Sequence, residues 1–282
     1  MERSKIEEIM EKYSGNTIKN EVGKPWSGTK ELMLVDKIKE TEDITSFYFK
    51  AKDGSKLIKH KAGQFLPFTI KTDDEKYRDV TRTYSLSMKP NEDIYRISVK
   101  RVQNGLISNY LHDNLNIGDS IEAMMPYGIF TLENHKKDKP TVFISAGIGI
   151  TPLLSMFYDS ADKINNITFI QAVQNSKMQP FKNDIKALCE MSKNKGYVFF
   201  SDPKEDEILG KDYDFKGFVT KDWIKDNLDL NSQFYFCGPP PFMKALNNAL
   251  LELGVSEEYI NYEFFWRAAK IIKFNTIYKR TN

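Results

Sequence analysis

In the run RTYSLS, residues 82–87, a guanidinium, a phenol and two serine hydroxyls are packed into six positions. Read with the period of a strand, Arg82, Tyr84 and Leu86 face one side, and Thr83, Ser85 and Ser87 face the other. An arginine on the apolar side of a strand requires an anion, because an unpaired buried charge is costly. The chemistry these residues suit is therefore the holding of an anionic ligand beside an aromatic ring.

Three glycine turns offer further places for an anion. In SAGIGITPLL, Gly147 and Gly149 allow close backbone approach at the carboxyl end of a strand, and Thr151 and Pro152 open a helix whose N-terminus favours phosphate. Its GxGxxP spacing departs from the GxGxxG dinucleotide fingerprint, and a tight turn capped by threonine accounts for it equally. In FYFCGPPPFMKAL, Cys237, Gly238 and Pro239 end a later strand, where open α/β sheets place ligands. Ordinary proline capping and a small buried cysteine also explain that segment. In NGLISNYL, Gly105 precedes a short helix with Ser108 in its first turns, so amides and a hydroxyl could cradle a pyrophosphate; Asn104–Gly105 alone is a turn signal.

These residues must be positioned by two kinds of element. ELMLVDKIKE, ITSFYFK, GQFLPFTI, VTRTYSLS, IYRISVKR and SIEAMM are strand-like runs parted by turn signals such as KDGS, TDDE and KPNED, which predicts a small antiparallel barrel of Greek-key type. After HKKDKP the strands TVFISA, ITFIQAV, GYVFFS, QFYFC and YINYEFF alternate with helical segments, which predicts a doubly wound parallel α/β sheet. Ahead of both, Ile6, Ile9, Met10 and Tyr13 mark one face of a short helix followed by a linker. The expected division is residues 1–28 for helix and linker, 29–137 for the barrel, 138–266 for the α/β domain and 267–282 for a basic tail.

Composition narrows the function classes. With 40% hydrophobic residues in 282, a substantial core can form. The 41 basic and 39 acidic residues leave a net charge of +2, without the basic excess of a nucleic-acid binder. Cys189 and Cys237 are too few for a thiolate-held iron–sulfur cluster, and His60, His112 and His135 lack zinc-ligand spacing, so no metal is expected. The charged start MERSKIEEIMEKYSG does not read as a secretory signal, and VFISAGIGITPLLSMF is too short for a bilayer span. A reduced, cytoplasmic protein is expected.

RTYSLS, ISVKRVQNGLISNYLH, SAGIGITP, CGPPPFM and YEFF together resemble, in that order, the ferredoxin–NADP reductase superfamily. The run YRISVKR–NGLISNYLHDNLNIGD is most similar to the reductase portion of flavohaemoglobins, and also to phenol-hydroxylase and other oxygenase reductases. The resemblance implies that the barrel binds FAD rather than FMN, and that the α/β domain binds NADH or NADPH. By it, Arg82 pairs with the flavin pyrophosphate, Tyr84 lies along the isoalloxazine and ribityl chain, and Ser85 bonds near the flavin N5 and O4 edge. Gln64 and Phe65 join the flavin-binding strand, Val99 and Lys100 follow on ISVK, and Gly105, Leu106, Ile107 and Ser108 meet the pyrophosphate. Gly147, Gly149, Thr151, Pro152, Cys237, Gly238, Pro239, Phe242 and Met243 hold the nicotinamide nucleotide. Phe265 covers the other flavin face beside Glu263, so that Ser85, Cys237, Glu263 and Phe265 surround the reacting atoms.

The implied reaction is hydride transfer from nicotinamide to flavin at the domain interface, followed by electron transfer to a separate acceptor such as ferredoxin, flavodoxin, an oxygenase or a haem protein. Residues 1–28 cannot hold a globin, and the four cysteines of a plant-type ferredoxin are absent. An electron-relay or structural subunit of a larger complex is the alternative. The tail, with Arg267, Lys270, Lys273, Lys279 and Arg280, could dock an acidic carrier, although termini of this kind are commonly loosely packed. In the loop after the second parallel strand, Asn175, Ser176 and Lys177 could approach the adenosine ribose, with no arginine for a 2′-phosphate and no acid for a free hydroxyl; the flavohaemoglobin resemblance favours NADH. One tension stands in RTYSLS: strict alternation sends Ser85 away from Tyr84, so the strand twists or ends there, or Ser85 is not a ligand.

Overall fold

A computed structural model of the chain describes residues 12, 22–136, 138–164, 166–191 and 194–265. Most of the expected N-terminal helix and the whole basic tail lie outside the described residues.

The first half forms six strands: β1 (Lys30–Lys39), β2 (Ile44–Ala51), β3 (Phe65–Ile70), β4 (Arg82–Ser85), β5 (Tyr95–Lys100) and β6 (Ser120–Ala123). They make one antiparallel sheet in the order β4-β3-β6-β1-β2-β5. The chain leaving β4 then closes it: Leu86 bridges Ile97 of β5, and the Ser87 amide donates to the Arg96 carbonyl at 2.9 Å. Inward-facing Leu32, Leu34, Phe47, Phe49, Leu66, Phe68, Ile97 and Val99 fill the barrel, and α1 (Leu106–Asp113) plugs it with Ile107 and Leu111.

The second half is a parallel sheet of β7 (Thr141–Ala146), β8 (Ile167–Val173), β9 (Lys195–Phe200), β10 (Phe215–Lys216), β11 (Gln233–Cys237) and β12 (Ile260–Glu263), in the order β10-β9-β8-β7-β11-β12. Successive residues of β7 supply opposite faces. Phe143 joins Leu153, Phe157, Ile185 and Leu188 of α2 (Ile150–Ser160) and α3 (Lys182–Met191). Val142 and Ile144 join Ile224, Leu246 and Leu250 of α4 (Lys221–Asn227) and α5 (Pro240–Glu252). Helices on both faces, with the order reversing at β7, place the switch point between β7 and β11. Among the described strands of this sheet, the two-residue β10 goes beyond the sequence expectation; it is too short to show a period.

The two halves meet in a packed contact. Ser155 Oγ of α2 donates to the Met88 carbonyl at 2.7 Å, and Ala62 and Phe130 join the core under α2. Arg96 of β5 is fully buried; its Nε donates to Ser87 Oγ at 3.0 Å, a second nitrogen donates to the Ser87 carbonyl, and its guanidinium lies 4.8 Å from the Phe181 ring centre. Phe181 adopts a left-handed φ of 59°, so the contact holds a strained residue.

Candidate functional site

Pairing of β4 with β3 sets Tyr84 opposite Leu66 and Arg82 opposite Phe68. Tyr84 stacks on Phe68, ring centres 5.6 Å apart, and burial pushes its phenol up to about 12, so it stays neutral. Arg82 is half-buried; its Nη1 donates to the Thr81 carbonyl at 2.8 Å, and it makes no ion pair among the described residues. Ser85 is only 5% exposed, and its hydroxyl has no hydrogen-bond partner among the described residues. β4 ends at Ser85, but its pairing with β3 runs on in register, the Leu86 amide donating to the Gln64 carbonyl at 2.9 Å. Leu86 joins Tyr84 at the barrel core, so the alternation that separates Ser85 from Tyr84 persists through this residue.

Gln64 braces the same edge, accepting from the Lys61 amide at 2.8 Å, while Phe65 meets Tyr127 edge-on. Ahead of α1, Asn104 takes a left-handed φ of 58° and Gly105 caps the helix in an extended conformation. Ser108 Oγ accepts from the Val102 amide at 3.3 Å, and a Cβ on Gly105 would lie 2.4 Å from that oxygen. The first amides of α1, at Leu106 and Ile107, have no partner within the helix. An unpaired guanidinium, an unpartnered hydroxyl and free amides fit the charge and donor needs of a flavin pyrophosphate.

At the switch point, Gly147 turns the chain out of β7 with φ 54°. A Cβ on Gly149 would sit 2.2 Å from the Cys237 carbonyl oxygen, and one on Gly238 would sit 2.7 Å from Phe242 and 2.9 Å from Ala146. The two glycine turns are thus in backbone contact and form one floor, and the Gly147–Gly149 turn also packs against β5 of the barrel. Gly149→Ala is expected to part these turns, costing about 1–3 kcal/mol from overpacking alone. Urea unfolding of the variant should show a lowered midpoint; an unchanged midpoint would refute the close approach.

Beneath the floor, Cys237 is fully buried and its Sγ donates to the Glu263 carbonyl at 3.3 Å. Burial raises its thiol well above the usual range, so it is a neutral donor and not a nucleophile. Glu263 pairs in register with Cys237; burial lifts its carboxyl to about 7, and Oε2 has no partner among the described residues. Phe265 follows two residues later and is 42% exposed, while Pro239 is exposed at the start of the next helix.

Other expected residues are not brought to this surface. The Val99 side chain lies in the barrel core and its carbonyl meets His112 Nε2 at 2.9 Å. The Lys100 ammonium pairs with Asp43 at 3.1 Å. Met243 belongs to the core under α5. Thr151 and Pro152 are buried, the Thr151 hydroxyl donating to the Ile148 carbonyl at 3.0 Å. Neither the strand period at Val99 and Lys100 nor the place of Thr151, Pro152 and Met243 near helix starts could separate core from rim.

One residue near the nucleotide edge escapes a sequence reading altogether. Glu207 Oε1 accepts from the Ser176 amide at 2.8 Å and Oε2 from the Lys204 amide at 2.7 Å. Burial opposes its charge, but these hydrogen bonds hold its carboxyl below the ordinary value. Its partner is 31 residues away, and no local motif announces it.

Residues 31–132 match the family model described as an oxidoreductase FAD-binding domain, and residues 143–248 match the oxidoreductase NAD-binding domain. A flavohemoprotein of Bacillus thuringiensis subsp. konkukian is 39% identical over 255 residues, 87% of this chain and 63% of that protein. The flavohem-like FAD/NAD binding domain of nitric oxide dioxygenase from Vibrio cholerae superposes with a TM-score of 0.75 at 30% identity, covering 84% of this chain and 99% of that one. Flavohemoglobin from Malassezia yamatoensis, solved with FAD and heme, shares the fold at a TM-score of 0.73 and 24% identity, over 85% of this chain and 60% of that one. The chain therefore spans less than two thirds of the full-length flavohemoproteins it matches.

Proposed function

The chain belongs to the oxidoreductase family that joins an FAD-binding domain to an NAD-binding domain, and from that premise we propose that it passes reducing equivalents from a nicotinamide nucleotide through FAD to a separate acceptor. Residues 29–137 form the flavin-binding unit of this reading and 138–266 the nucleotide-binding unit. The observation that carries it is the pairing of a half-buried Arg82, free of any ion pair among the described residues, with the buried, unpartnered Ser85 hydroxyl.

FAD, when bound, supplies a hydride acceptor that can release electrons singly. Arg82 neutralises its phosphates, and the amides of Leu106 and Ile107 donate to them from the start of α1. Tyr84, backed by Phe68, gives a flat apolar wall, and Ser85 offers its free hydroxyl at the strand end. Gly147, Gly149 and Gly238 let the nucleotide come close to the backbone at the switch point, with Pro239 and Phe242 at its rim. Cys237 fixes the end of β12, and from there Glu263 can hold a proton near neutral pH while Phe265 shields the reacting faces from water.

The acceptor is a separate protein, of the ferredoxin, flavodoxin, oxygenase or haem type, or a diffusible oxidant. A cytoplasmic setting fits two free cysteines, and among the described residues no helix is long and apolar enough to cross a membrane. Purified protein is expected to be yellow, to bleach on anaerobic titration with NADH and to reduce ferricyanide unaided. A protein that stays colourless and inactive after FAD is added would instead be a relay or structural subunit.

A further inference from the structure

Resting on that reading, we propose that Glu207 is the specificity-determining residue that selects NADH over NADPH. In a doubly wound sheet the segments leaving the second and third strands border the adenosine ribose. Here those segments are β8 and β9 with their continuations, which stay paired beyond the strands: the Ser201 amide donates to Val173 at 3.0 Å and the Asp202 amide to Gln174 at 2.9 Å. Glu207 folds back over this edge and takes the Ser176 amide, the group that a ribose phosphate would otherwise use.

A second group points to the same ligand chemistry. Asn175 is 4% exposed, its Nδ2 donates to the Asp202 carbonyl at 3.4 Å, and its Oδ1 is buried without a partner among the described residues. That edge thus presents acceptors, a carboxylate and an amide oxygen, with the nearest backbone donor already engaged. A ribose bearing a free 2′-hydroxyl supplies the missing donor. A 2′-phosphate, with a charge of about −1.5 to −2, supplies none and meets a carboxylate. Lys177 and Lys204 are exposed cations on the two segments that Glu207 ties together through the Ser176 and Lys204 amides.

The test compares FAD-loaded wild type, Glu207→Gln and Glu207→Ala. One measurement is kcat/KM with NADH and with NADPH; the other is calorimetric titration with 2′,5′-ADP and with 5′-AMP. Wild type should prefer NADH, and Glu207→Gln, which keeps the size of the side chain, should lower the NADH-to-NADPH ratio by about tenfold or more. The same variant should bind 2′,5′-ADP more tightly with 5′-AMP affinity little changed, and Glu207→Ala should move in the same direction even if its loop is less stable. A wild-type preference for NADPH, or a ratio and 2′,5′-ADP affinity unchanged in both variants, would overturn the assignment. If neither nucleotide reduces the wild-type flavin, the oxidoreductase reading fails, and the 2′,5′-ADP titration still decides the role of Glu207.

Discussion

Replacing Arg82 with methionine is expected to leave a folded protein that retains FAD much more weakly. Among the described residues the guanidinium holds only the neighbouring Thr81 carbonyl, at the start of β4. Methionine preserves the apolar stem, so the fold loses little more than a surface substitution would, within about 0.5 kcal/mol. The pyrophosphate loses charge-assisted hydrogen bonds worth about 1.5–3 kcal/mol, which weakens FAD by about 10- to 100-fold. Absorbance after gel filtration gives the FAD-to-protein ratio, and calorimetry on apoprotein gives the affinity. Full FAD content beside an unchanged thermal transition would remove Arg82 from the cradle. A matching loss of thermal stability in the apoprotein would show that it serves the barrel instead.

The contrast between Arg82 and Glu207 shows what a sequence can disclose about this site. Arg82 stands out because its neighbours share a strand, and a two-residue period says which face a charge must occupy. The barrel and the doubly wound sheet are legible for the same reason, since each strand carries its own period and each helix its own face. Glu207 acts through an amide 31 residues distant, and nothing in SDPKEDEILG distinguishes it from the other acids around it. Arg96 is hidden differently. It lies in the same YRISVK strand that the period identifies, yet its burial comes from Phe181 in the other half of the chain. Ser85 belongs to this class too: alternation gives its face, but nothing local shows that its hydroxyl is buried without a partner. Val99 and Met243 are the converse case: their place within a motif suggested a cofactor contact, and the fold puts their side chains in the core.

Glu263→Gln is expected to raise stability at pH 8 while changing it little at pH 5. Burial without a partner for Oε2 lifts the carboxyl from its ordinary value of 4.5 to about 7 in the folded protein. Between those values the folded state binds the proton and the unfolded state has lost it, so stability falls as pH rises through the window. A shift of this size corresponds to about 3 kcal/mol, fully felt above pH 7 and absent below 4.5. Buried His60 acts with the opposite sign: burial lowers it to about 4, so stability is gained as pH rises from there toward 6.5. Subtracting the variant's profile from the wild type's cancels every group except the one replaced. Urea denaturation at half-unit steps from pH 5 to 8 should give a difference that grows with pH and levels off just above 7; a flat difference would refute a half-buried carboxyl whose Oε2 lacks a partner. A glutamine would spare the fold this cost at neutral pH. A glutamate at the end of β12, in register with Cys237, instead lowers stability at neutral pH and keeps a proton exchangeable there, which fits the proposed place of Glu263 beside the reacting atoms.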